Sequence, residues 1–282
     1  MATATASTIP ATVRVPRLVV LAAYLVALVT AEVLLALGDA WQDPGYQEAA
    51  LAVHILLVFA LIGHGVLVYP RSPVFSSLFV ALSLASLIRV YSLALPPIPG
   101  TEGPGQEIPR LAVVSVPLLV SVVAVAYVQR LHPKELGLSI LWGRPALLQI
   151  AIALVGLPLG VAEYFILRPE GWIASPADLG AFAAGTAVIF TATGISEEII
   201  FRGILLKRAI EGLGERRGLL FVSLAFTALH IFFRSGVDLA FVFGVALFYG
   251  TAALRTKSLW GVIGSHTLAN VVLYLVAPSA LA

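Results

Sequence analysis

Residues 194–203 read GISEEIIFRG. They lie inside LGAFAAGTAVIFTATGISEEIIFRGILL, residues 179–206, a run long and apolar enough to cross a bilayer as a helix. Two adjacent glutamates and an arginine interrupt that run. An ionisable group inside a span costs roughly 2.5–3.5 kcal/mol on insertion scales, so its presence points to a task. On a helix, Glu198 and Arg202 stand at i,i+4 and share a face, where pairing lowers the cost of burying both. Glu197 points about 100° away and is left free by the same geometry.

The rest of the chain is of one kind with this run. Of its 282 residues 60% are hydrophobic and 11% charged, against about 25% charged in soluble domains. Apolar stretches recur at about 18–37, 49–69, 74–95, 111–129, 145–167, 179–206, 218–233, 237–254 and 258–276. Their length predicts an all-α, polytopic transmembrane helix bundle of about nine helices, with eight as the lower count. The runs are continuous and do not alternate, which argues against a membrane barrel. Arg14 and Arg17 precede the first run. Its apolar stretch exceeds a signal-peptide core, so it is read as a span. The absence of cysteine excludes disulfides, thiolate nucleophiles and cysteine-held metals.

Charge placement then sets a topology. With the N-terminus inside, the inner segments hold Arg14, Arg17, Arg71, Arg130, Lys134, Arg144, Lys207, Arg208, Arg216, Arg217, Arg255 and Lys257. The outer loops hold only Arg110, Arg168 and Arg234. Lys/Arg bias of this kind fixes orientation. Two Pro/Gly-rich stretches, PPIPGTEGPG at 96–105 and RPEGWIASPAD at 168–178, read as outer connections. LHPKELGLSI at 131–140 divides an N-terminal four-helix extension, 1–130, from a catalytic transmembrane core, 131–282. Most of the polar chemistry lies in the second part.

Two further clusters accompany the glutamates. FTALH ends at His230 with Phe226 on the same helix face, and HTLAN sets His266 and Asn270 at i,i+4. Counting about 1.5 Å per residue from the inner ends, Glu197, His230, His266 and Asn270 reach a similar depth, roughly 12–18 Å. A carboxylate with an imidazole can take a proton from water. Histidine and asparagine N–H groups can hold an oxyanion. No serine or cysteine stands beside a base, so the residues favour hydrolysis of an amide by activated water over a covalent route.

The order Glu197-Glu198-x-x-x-Arg202, Phe226-x-x-x-His230, His266-x-x-x-Asn270 on successive helices resembles the CPBP family, the CAAX-protease and bacteriocin-processing (Abi) intramembrane endopeptidases of glutamic type. KELGL and SLWGVIGSHTLAN are similar to that family's usual context, and the resemblance covers about residues 131–276. It implies that Glu197 and His230 activate water, that His266 and Asn270 form the oxyanion hole, and that Glu198 and Arg202 support the site. It implies a membrane-anchored protein or peptide as substrate, the bilayer as surroundings and no nucleic-acid partner. The expected location is a bacterial cytoplasmic membrane.

No cofactor is expected. The alternative mechanism is a divalent metal held by Glu197, His230 and His266 as a three-ligand open site, although the chain has no HExxH. Two other classes compete. Glu32, His54, His64, Arg89 and Glu163 are scattered over four other spans and would suit an ion or proton pathway. A non-proteolytic scaffold or immunity protein would keep the fold but lose a catalytic residue, and none is missing here. Among the scattered residues, Glu32 with Arg89 is the pairing expected.

Overall fold

The computed structural model describes residues 17–96, 98 and 104–281. Arg14, Glu102 and most of the 96–105 connection lie outside the described residues. The described chain is helical throughout, with no strand. Eight helices are long and apolar enough to span a membrane. They are α1 (Arg17–Trp41), α2 (Pro44–Val68), α3 (Pro73–Ala94), α4 (Glu107–Val128), α5 (Arg144–Leu167), α6 (Leu179–Leu213), α8 (Gly236–Thr256) and α9 (Trp260–Ala280). Between α6 and α8 lies the shorter α7 (Glu215–Ala228).

α7 is where the chain departs from the nine-span reading. The apolar run continues to Phe233, but the helix stops at Ala228 and a 3-10 turn, Ile231–Phe233, takes over. Fourteen helical residues rise only about 21 Å. The segment still ends at the level of the α1–α2 connection, because Arg234 pairs with Asp39 at 3.1 Å.

Local chemistry explains the boundaries. Asp43 and Asp178 accept from the amides of Gly45 and Ala181 and so cap α2 and α6, while Ser235 caps α8 through Asp238 N–H. Pro44, Pro73 and Pro145 sit in the first turns of α2, α3 and α5, where a missing N–H costs nothing. α5 is interrupted at Val155. Pro158 has no N–H for the carbonyl of residue 154, which loosens that turn.

The connections sort into two ends. At one end Trp172 N–H, between α5 and α6, donates to the Tyr274 carbonyl at 2.9 Å, and Arg110 donates to the Ser92 carbonyl at 2.8 Å. At the other end Arg208 bonds Gln129 at 2.6 Å. There also Leu259 N–H donates to the Gly137 carbonyl at 2.9 Å, and Trp260 Nε1–H to the Ser139 carbonyl at 3.1 Å. KELGL and SLWGV therefore dock on one another.

One apolar core runs through most of the bundle, from Leu21 and Leu57 through Leu78 and Leu118 to Phe201, Val242 and Ile263. The outward faces are also apolar: Phe59 is 71% exposed and Val120 64%. Such a surface is at home in lipid and not in water, and the protein is an integral membrane protein. With lipid as solvent, helices associate through close packing. At Gly156 an added Cβ would lie 2.1 Å from the Ser265 carbonyl oxygen, so glycine is what lets α5 and α9 touch.

Candidate functional site

α6 is not a regular α-helix where the glutamates sit. Phe190–Ile195 and Ile199–Leu205 are π-helical, and Ser196–Glu198 forms a short α segment between them. π-bulges concentrate at functional sites because the wider turn re-aims side chains. Here Glu198 turns into the dry interior, with its side chain 0% exposed, while Glu197 faces a cavity. The close approach of α6 to α9 at this level depends on Gly194, where a Cβ would meet Thr267 Oγ1 at 2.2 Å.

The pairing of Glu198 with Arg202 that the spacing predicts is present. Arg202 Nη1 donates to Glu198 Oε1 at 2.9 Å, and the arginine side chain is 2% exposed. The same oxygen has a second partner that the sequence does not announce: His266 Nδ1 lies 2.8 Å from it. A carboxylate accepts, so Nδ1 carries the proton and Nε2 is turned the other way. His266 Nε2 lies 4.0 Å from Glu197 Oε2. Glu198 thus does more than neutralise an arginine; it aims an imidazole toward the free glutamate.

Phe226 has a legible task as well. Its carbonyl lies 3.1 Å from His230 Nδ1. A carbonyl can only accept, so the proton is on Nδ1 and Nε2 is free to act as a base. The Phe226 ring lies 4.3 Å below the Arg202 guanidinium, measured to the ring centre, and 4.9 Å from the His230 ring. That ring spaces the ion pair from the histidine.

Asn270 Nδ2 donates to Thr193 Oγ1 at 3.0 Å, and Thr193 donates to the Ile189 carbonyl at 2.8 Å. One of the two amide hydrogens is used in this way and the other remains for a ligand.

Glu197, His230, His266, Asn270 and Phe226 all line one cavity of about 570 Å³. Glu198 and Arg202 stand behind its wall. The structure brings Glu197 within 4.0 Å of His266, whereas no ion pair within that distance joins it to His230 among the described residues. Among the described residues no three His, Asp or Glu side chains are grouped so as to hold a metal ion. Glu197, His230 and His266 are not grouped in that way.

Sequence reasoning passed over several lining residues. Thr193 and Tyr249 line the cavity, and so does Glu163, which the sequence had placed only among the scattered ionisable groups. Tyr249 is buried and donates to Ser265 Oγ at 3.0 Å beside His266.

Arg89, from the N-terminal extension, also lines the cavity. Its Nε donates to Glu32 Oε1 at 2.8 Å, as the sequence pairing had it, and Nη2 donates to the Leu229 carbonyl. That carbonyl immediately precedes His230. His54 Nε2 approaches the same Glu32 oxygen at 3.5 Å. Glu32, His54 and Arg89 form one structural cluster that ends at the residue before His230. The only advance signal was that each is an ionisable residue inside a span.

The family described as "Type II CAAX prenyl endopeptidase Rce1-like" matches residues 179–272, the segment that carries all seven motif residues. Over that segment, a third of the chain, the sequence is similar to this family of endopeptidases. No curated protein and no solved structure matches the chain.

Proposed function

We propose that the protein is an intramembrane endopeptidase that hydrolyses a peptide bond of a membrane-associated protein or peptide with water activated by Glu197 and His230. One observation carries this: a free glutamate, two oriented histidines and an asparagine, from separate helices, line one cavity within an apolar bundle. The family match supports the same class of reaction.

In this reading Glu197 takes a proton from water, and the oxygen attacks the scissile carbonyl carbon. His230, whose Nε2 is left as an acceptor, assists that transfer. Negative charge then develops on the carbonyl oxygen. Asn270 offers its unused amide hydrogen to it. His266 offers Nε2–H when doubly protonated, with Glu198 holding Nδ1 and balancing the charge. Preorganised donors of this kind act strongly where water is excluded. Collapse of the tetrahedral intermediate breaks the C–N bond, and the proton held by Glu197 or His230 passes to the leaving amine.

The 4.0 Å approach of Glu197 to His266 favours a second division of labour, in which His266 shares the water with Glu197 and His230 faces the leaving group. Replacing each histidine by glutamine separates the two. Under the first division His230→Gln removes the base partner and His266→Gln keeps a donor, so His230→Gln is the more damaging. The second reverses the order.

The test of the function itself is mass spectrometry of protein termini in membranes of cells carrying wild type or Glu197→Ala. Uncleaved precursors that accumulate with the variant support proteolysis and name the substrate. Identical termini, with the variant protein at normal level, overturn it.

A further inference from the structure

We propose that the N-terminal extension is a working part of the site: α1, α2 and α3 together hold Arg89, and Arg89 sets the position of His230 by closing the last turn of α7. This rests on the endopeptidase reading for what His230 does. Where His230 is held does not depend on that reading.

The turn that carries His230 needs a donor from outside. α7 ends at Ala228, and a helix leaves its last four carbonyls without intrahelical partners. The bonds that follow run from Leu229 N–H to the Phe226 carbonyl, His230 N–H to Thr227, Phe233 N–H to His230 and Arg234 N–H to Ile231. None of them uses the Leu229 carbonyl, and Leu229 is buried. A buried carbonyl without a partner is costly. Arg89 Nη2 supplies the missing donor. A cation is also the favourable charge there, because the helix dipole leaves its C-terminus negative.

The other edge of the guanidinium explains why three helices are involved. Arg89 Nε donates to Glu32 Oε1 at 2.8 Å, and the Glu32 side chain on α1 is fully buried. His54 of α2, equally buried, brings Nε2 to 3.5 Å from the same oxygen. A guanidinium is planar and rigid, so fixing Nε aims Nη2. The aim then passes along one peptide unit to His230. The His230 ring is held separately, by the Phe226 carbonyl 3.1 Å from Nδ1. The imidazole is thus oriented by its own helix and placed by α3. A displacement of about 1 Å in a reacting group costs up to about 10²-fold in rate. Arg89 is a positioning residue in this scheme, because it works through His230.

The test compares full-length Glu32→Gln with Glu32→Gln/Arg89→Gln, so that no buried charge is left alone. The glutamine oxygen still accepts from Arg89 Nε, and the single variant keeps the aim. Amide hydrogen exchange in detergent is read by mass spectrometry over the His230 turn and over α9 around His266. Loss of Arg89 should speed exchange at His230, Phe233 and Arg234 roughly tenfold, as for one hydrogen bond to a charged group, and leave α9 unchanged. Equal exchange at the turn in the two proteins overturns the proposal. So does a rise shared by α9, which marks general loosening.

A second arm asks whether Arg89 acts through His230. Arg89→Gln is added to Glu32→Gln and to Glu32→Gln/His230→Gln, and cleavage of a defined substrate is followed under single-turnover conditions. In the first background the saturating rate should fall roughly 10–100-fold with the half-saturating substrate concentration unchanged. In the second the further fall should be less than about twofold, since residues acting as a unit are not additive. Equal falls in both backgrounds overturn the proposal and mark Arg89 as a residue that meets the substrate itself. Faster exchange at the turn, in a protein whose wild type cleaves nothing, defeats the endopeptidase reading and leaves the placement of His230 standing.

Discussion

Arg202→Ala separates the structural from the chemical work of the EExxxR cluster. The pair it breaks is dry, with side chains 2% and 0% exposed. Without Arg202, Glu198 keeps His266 on Oε1, and its Oε2 has no hydrogen-bond partner in the intact protein either. Removing one member of a buried pair costs about 3–5 kcal/mol, because the other charge is left uncompensated. The remaining histidine bond sets the expectation at the low end, about 3 kcal/mol. At about 2–4 °C per kcal/mol for a chain of this size, that is a fall of about 6–12 °C in the unfolding midpoint. The assay is thermal unfolding of the purified protein in detergent, alongside cleavage of a defined substrate.

The double variant Glu198→Gln with Arg202→Met completes the design. Replacing both charges with groups of similar volume is often close to neutral, and the glutamine oxygen can still accept from His266 Nδ1–H. The midpoint should return to within about 3 °C of wild type. Cleavage should stay depressed, because His266 has lost the anion that balances its charged form. An Arg202→Ala midpoint within about 1 °C of wild type would refute the claim that the pair is dry. Full activity in the double variant would refute the claim that Glu198 works through His266.

Three further outcomes follow from the same geometry. Glu197→Gln should lower the cleavage rate by about 10²–10⁴-fold, the range for a general base, and leave the unfolding midpoint unchanged because the side chain faces a cavity; near-normal turnover would remove Glu197 from the mechanism. Asn270→Ala should cost about 10²–10³-fold in kcat, as for loss of an oxyanion donor, while Thr193→Val should cost less and Thr193→Ser almost nothing, since only the hydroxyl holds the amide; an unchanged kcat in Asn270→Ala would exclude the donor role. Arg89→Gln should reduce both stability and kcat, and adding Glu32→Gln should restore stability alone, since the Leu229 carbonyl before His230 still lacks its clamp; recovery of kcat along with the midpoint would show that Arg89 is purely structural.

Much of this site was legible before any coordinates because lipid penalises charge. Glu197, Glu198, Arg202, His230 and His266 stood out as ionisable groups in apolar runs. The i,i+4 rule then paired Glu198 with Arg202 without a fold. The rest was not legible, for physical reasons. The second partner of Glu198 comes from α9, and no spacing within one helix reports a contact between two. Thr193 and Tyr249 are ordinary residues of spans, and Glu163 a lone carboxylate, until the bundle sets them around one cavity. The π-helical turns on both sides of Glu197 come from backbone hydrogen bonding, which hydropathy does not register. The 218–233 run looked like a full span because hydropathy counts Ile231, Phe232 and Phe233, although the α-helix ends at Ala228.

The sequence by itself determined that the chain is a helical membrane bundle and which few polar groups interrupt its apolar runs. These follow from composition, length and charge, which act residue by residue against the bilayer. Only the tertiary structure decided that His266 is aimed by Glu198 and that an arginine of the third helix reaches the backbone beside His230. Those features depend on how helices distant in sequence approach one another, and close packing between apolar surfaces sets that approach without leaving a pattern in any single helix.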